Sequence, residues 1–164
     1  MTSDILRIEK NINEEKDPRK HNLPLTVPKK IPAVRKGDCT QTIRPESSSK
    51  PKEVGDLIRL HGWEGRPYRS KWSWRAPTEG YWVIRETFKI EFYEPVDDSS
   101  LKATMRIPNR PILPDDEIRE RIAKKDWFDG YNEMIEWFLK KYDREEFFGR
   151  RYNVIRWSTQ VVFP

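Results

Sequence analysis

Cysteine occurs once, at Cys39, which excludes an internal disulfide and any zinc site built on cysteine ligands. Histidine occurs twice, at His21 and His61, and neither has a second histidine at a ligand spacing. No metal and no cofactor are therefore expected, and each histidine reads as an ordinary surface or strand residue. Long apolar runs are absent as well. No stretch approaches the roughly 20 residues of a membrane helix, and the N-terminus lacks the apolar core of a signal peptide. The expectation is a cytoplasmic protein with no membrane partner. A glycine-rich phosphate loop is missing, nothing singles out a serine for a Ser/His/Asp set, and no internal repeat is found.

What the chain does have is charge and aromatic rings. Charged residues make up 36% of its 164 positions and apolar ones 35%, and seven Trp, seven Phe and six Tyr give a single small domain enough ring surface for a core. The net charge of +5 permits a polyanionic partner. Residues 20–52 carry eight Lys/Arg against two acids, Asp38 and Glu46. Residues 57–77 carry five cations (Arg59, Arg66, Arg69, Lys71, Arg75) against Glu64. The basic excess sits on the front half, and the region after Pro114 is more evenly mixed.

In chain order, residues 5–8 suit a short strand or helical turn, and residues 11–22 are almost wholly polar and read as loop or disorder. Residues 1–22 are accordingly expected as an extension and 23–164 as the domain. Pro24, Pro28 and Pro32 mark an edge strand or surface segment, and Pro32 with Gly37 brackets a short helix. Strands are expected at 40–44, 57–61, 81–93 (the longest, and bent), 101–107 and 152–157. Two helices are expected before the last strand, one opening at Asp115-Asp116 and one over 132–142. Strands, then two helices, then a strand is an α+β order, and a small barrel with helices at one side is the architecture that fits.

Two stretches carry candidate chemistry. Around residues 63–75, Trp63, Tyr68, Trp72 and Trp74 interleave with Arg66, Arg69, Lys71 and Arg75. Guanidinium groups pair with phosphates and aromatic faces stack on unpaired bases, as single-stranded nucleic acid requires. The same pattern also arises from core tryptophans beside a solvated cationic face, or from an apolar patch for a partner chain. On the strand at 40–44, alternation places Thr40, Thr42 and Arg44 on one side and Gln41 and Ile43 on the other. Asp126 lies too early to cap the second helix, a role left to Asp129 or Asn132, and is free for another.

These pieces resemble an ASCH-domain protein of the PUA-like superfamily, of phage type. The matching residues are Thr40-Gln41-Thr42-Ile43-Arg44, the Gly55-Asp56 pair within 54–60, and Gly65-Arg66-Pro67-Tyr68-Arg69-Ser70-Lys71-Trp72. Residues 126–142 and 152–157 resemble the family's helical segment and final strand. The resemblance implies a PUA-like β-barrel with a cleft for RNA or nucleotides, DNA being the alternative. It implies contacts from Thr40, Thr42, Arg44, Arg66, Arg69, Lys71, Trp72 and Trp74. Some members deacylate a modified cytidine with a lysine, a threonine and an acid; the latter two fall on Thr42 and Asp126. The lysine falls on Cys39, and a neutral thiol with a pKa near 8.5 does not replace an ammonium. The expectation is therefore a binding module for single-stranded RNA or a nucleotide rather than an enzyme, with hydrolysis of N-acylated cytidine or RNA through Thr42 and Asp126 as the alternative. Beside Lys36 and Arg44, Cys39 is either an activated thiolate or a half-buried strand residue.

Overall fold

The computed structural model describes residues 17–25, 27–47, 51–63, 69–95, 101–110 and 114–164. Those residues form seven strands and four helices in an α+β arrangement. In chain order they are β1 (Lys20–Pro24), α1 (Ile31–Lys36), β2 (Gln41–Pro45), β3 (Leu57–Trp63), β4 (Trp72–Ala76) and β5 (Tyr81–Tyr93). Then come β6 (Thr104–Arg106), α2 (Asp116–Lys125), α3 (Tyr131–Lys141), α4 (Arg144–Phe148) and β7 (Arg151–Val162).

Local chemistry accounts for the helix ends. Pro32 sits in the first turn of α1, and Gly37, at φ 83°, takes the left-handed position that ends it. The Asp115 side chain accepts the Ile118 N–H at 2.9 Å to open α2, with Asp116 and Glu117 in its first turn and Lys124 and Lys125 in its last. In α3, Tyr131, Met134, Ile135 and Phe138 are buried, the one-face spacing of an amphipathic helix.

The sheet runs β1-β3-β5-β7-β2, with β4 also on β3 and β6 also on β5. Among the described residues only β1 and β3 pair in parallel. The bend expected in β5 is a bulge. Ile84 faces Trp157 and Glu86 faces Arg156, so β5 advances two residues where β7 advances one, and Arg85 is the extra residue. This reverses the faces. Trp82 and Ile84 join Ile155 and Trp157 in one core with Leu23, Ile58 and Leu60. Ile90 and Phe92, of the same even parity, join Val154 and Tyr152 in the other core, beneath α2, α3 and α4. One apolar alternation thereby feeds both faces of the sheet.

Several expectations shift. β1 begins at Lys20, inside the stretch read as loop, because β3 offers it a partner from Leu57 to His61 and buries His21. Among the described residues three helices, not two, lie between β6 and β7: the charged stretch after Tyr142 contains α4, anchored by the fully buried Phe147. Residues 72–76 form a strand against β3. Among the described residues the sheet is not closed: β1 and β2 end its main path, and no ladder joins them. The Arg44 guanidinium reaches between them, donating from Nη1 to the Pro24 carbonyl at 2.6 Å. The strand or turn expected at residues 5–8 lies outside the described residues.

Candidate functional site

The opening between the two sheet edges holds a cavity of about 230 Å³. Pro24 and Leu25 line it from the β1 side, and Thr42, Ile43, Arg44 and Pro45 from β2. Trp63, Phe128, Trp137, Phe138 and Tyr142 give it aromatic walls, and Lys30, Lys141 and Asp126 supply charge. That volume is below the roughly 300–1,000 Å³ of drug-sized pockets, so it suits a single planar group rather than a whole nucleotide.

At its base lies a buried ion pair. Lys30, on the turn that opens α1, is 2% exposed, and Asp126, which ends α2, is 6% exposed. Lys30 Nζ donates to Asp126 Oδ1 at 3.0 Å. Beside it, Lys29 pairs on the surface with Glu133 at 3.1 Å and Asp129 at 3.4 Å, so two consecutive lysines grip the α2–α3 connection from inside and outside. Burial pushes the Asp126 carboxyl above the usual carboxylate range, while the charge and hydrogen bond of Lys30 and the Gln41 amide pull it back.

Gln41 settles the orientation of that carboxylate. Its Nε2 donates to the Ile122 carbonyl at 2.9 Å and to Asp126 Oδ1 at 3.3 Å, and its Oε1 accepts from Arg156 Nε at 2.8 Å. Arg156 in turn pairs with Glu86 at 3.1 Å. A continuous polar chain thus runs Glu86–Arg156–Gln41–Asp126–Lys30. Gln41 and Arg156 are register partners across β2 and β7, which is why the chain forms.

Of the residues singled out from sequence, Thr42, Arg44 and Asp126 converge on this cavity. Thr40 does not. The β2 ladder starts at Gln41, so alternation does not extend to Thr40, which lines a separate surface groove with Asp38, Glu117 and Trp127. Arg69 and Lys71 are exposed. Trp72, 38% exposed, stacks on His61 with ring centroids 4.1 Å apart. Trp74 is half-buried, packed against the second core with Arg35 over its ring. Arg66 and Tyr68 lie outside the described residues. The histidines are not surface residues: His21 is buried on Asp56, and His61 is 3% exposed with neither ring nitrogen partnered among the described residues.

Cys39 is a core residue, 1% exposed, its thiol directed at the carbonyls of Gln41 and Lys125, both at 3.5 Å. Burial pushes its pKa up, against an activated thiolate. An amine does reach the cavity from another part of the chain, that of Lys30. Nothing local in the sequence marks Lys30, which is one of several lysines in a basic, proline-rich run; only its burial distinguishes it. Among the described residues, no three His, Cys, Asp or Glu side chains gather as a metal set would, and no helix is long and apolar enough to cross a membrane. No family model, curated protein or solved structure matches the chain.

Proposed function

We propose that the cavity receives the acylated base of an N-acylated cytidine, as an ASCH-type pocket on a PUA-like barrel left open at the site, and that it hydrolyses the amide of that base. The observation that carries this reading is the buried Lys30–Asp126 pair in the same cavity as Thr42. It supplies the amine whose absence at Cys39 favours a binding module when the sequence is read alone. The aromatic walls suit a flat base, and Arg44 and Lys141 at the cavity suit the phosphate or ribose side.

The chemistry follows from the groups present. Asp126, its carboxyl raised above the ordinary carboxylate range by burial, takes a proton from a water held by the Thr42 hydroxyl. The water oxygen bonds to the acyl carbon. Lys30 spends one N–H on Asp126 and retains two others for the developing oxyanion. The C–N bond then breaks, the proton passes to the departing exocyclic nitrogen, and cytidine and a carboxylic acid leave. The test is incubation with N4-acetylcytidine and chromatography of the products. Wild type should release cytidine, and Lys30→Met, Thr42→Val and Asp126→Asn should each lose at least a hundredfold in rate. A wild type that binds the nucleoside without releasing acetate would leave a binding pocket and remove the hydrolase.

The second reading, binding of single-stranded RNA without chemistry, is favoured by the exposed Arg69, Lys71 and Trp72 on and beside β4. Its mark is affinity lost in an Arg69→Ala/Lys71→Ala/Trp72→Ala variant and unchanged in Asp126→Asn.

A further inference from the structure

A second and larger opening, of about 740 Å³, lies between the β5–β7 surface and the β6–α2 side of the molecule. Among the described residues its lining holds Lys89, Arg110, Arg121, Arg151 and Arg156 against a single acid, Glu86. These cations come from four separate parts of the chain, three of them beyond residue 105, so the sequence profile, with its basic excess in the front half, does not reveal them. Four of the five are arginines, whose planar fork matches phosphate oxygens two at a time. Neighbouring acids do not close the site. Arg121 pairs with Glu117 at 2.8 Å, Arg151 with Glu91 at 2.6 Å and Lys89 with Glu46 at 3.2 Å. Such exposed pairs are worth about 0–1 kcal/mol, weak enough for a polyanion to displace. Arg110 has no ion-pair partner among the described residues. The floor is apolar, from Phe88, Ile107 and Ile122, and the Arg156 guanidinium lies over the Phe88 ring at 5.0 Å, a layered surface on which a base can stack.

We propose that this groove is a binding site for the sugar–phosphate backbone of a single-stranded nucleic acid. Spread-out guanidinium groups over an apolar floor fit several phosphates and their bases, and the space exceeds what one phosphate needs. The inference stands on its own observations and does not require the hydrolase reading of the smaller cavity.

The experiment is fluorescence anisotropy with a labelled single-stranded RNA of about a dozen nucleotides, the upper range for one binding module, titrated across salt concentrations. Arg110→Ala/Arg121→Ala removes two exposed side chains that hold no buried structure. Affinity should fall at least tenfold, and the slope of log affinity on log salt should lessen by about 1.4, at roughly 0.7 per single-strand phosphate contact. Arg144→Ala, at an exposed ion pair outside the groove, should leave both quantities close to wild type. The proposal is overturned by unchanged binding in Arg110→Ala/Arg121→Ala, by loss confined to Arg69→Ala/Lys71→Ala, or by no binding in wild type. It is also overturned if polyglutamate of matched length displaces the RNA equally well, which marks a site for acidic polypeptide. Acetylcytidine turnover, read separately, reports on the cavity whichever way the anisotropy falls.

Discussion

Lys30 and Asp126 are 96 residues apart in the chain and 3.0 Å apart in the fold. Both are almost completely buried, and among the described residues each is the other's only ion-pair partner. Removing one partner strands the other away from water. Lys30→Met or Asp126→Leu alone should cost about 3–5 kcal/mol of stability, whereas replacing both by apolar side chains should cost far less than the sum. Urea unfolding of the four proteins checks this. Additive losses would mean that the pair does not act as a unit.

Gln41 is the residue through which this pair meets the surface. Gln41→Leu leaves Arg156 Nε without its partner and removes one of the two donors to the Ile122 carbonyl, for a loss of about 1–3 kcal/mol. Gln41→Glu asks a different question. It sets a second carboxylate beside Asp126, and like charge favours the protonated form, so the Asp126 midpoint should move further up. Carbon-13 NMR titration of the aspartate carboxyls in both proteins reads that midpoint without any activity assay. An unmoved Asp126 signal would show that Gln41 does not govern its charge.

Much of the architecture is legible because it rests on local chemistry. Asp115 opens α2 as a cap residue should, Gly37 ends α1, and β5 spans 81–93 as its alternation indicates. What is hidden depends on pairing at a distance. The bulge at Arg85 interrupts nothing in the even-numbered run from Trp82 to Phe92, yet it sends half of that run to each face. Phe147 looks like part of a charged turn until α4 buries it. In the site, Thr42 and Asp126 stand out by motif and by position. Lys30 does not, because what qualifies it is the aspartate that the α2–α3 connection brings to it. Counting three residues back from Thr42 reaches Cys39, which the fold uses as packing.

Cys39 should behave accordingly. With 1% exposure and a thiol held above its ordinary pKa by burial, it should react with a disulfide reagent such as dithionitrobenzoate only as fast as the protein opens. Denaturant should raise the rate by orders of magnitude. Rapid stoichiometric labelling of the native protein would contradict the core placement. Cys39→Lys, which restores the amine to the position implied by the resemblance, should place a second ammonium beside Lys30 in an apolar setting. It should destabilise the fold by several kcal/mol and add no turnover.

The His21–Asp56 contact gives the acid limb of stability. Asp56 is 6% exposed, and it accepts from His21 at 2.8 Å, from the Glu53 N–H at 3.0 Å and from the Arg19 N–H at 3.2 Å. Burial acts to raise its pKa, but the bonds from His21, Glu53 and Arg19 outweigh it, and the carboxyl is held below its ordinary 3.8. A depressed folded pKa means that the unfolded chain binds the proton first on acidification. The contribution is therefore complete above 3.8 and is lost as pH falls below that value through the folded pKa. Asp56→Asn should cost about 1.5–3 kcal/mol at pH 7, the range for hydrogen bonds to a charged group. The gap to wild type should narrow towards pH 2, as urea midpoints at the two pH values will show. A gap that stays constant would mean that the Asp56 charge contributes nothing and that the bonds serve equally well neutral.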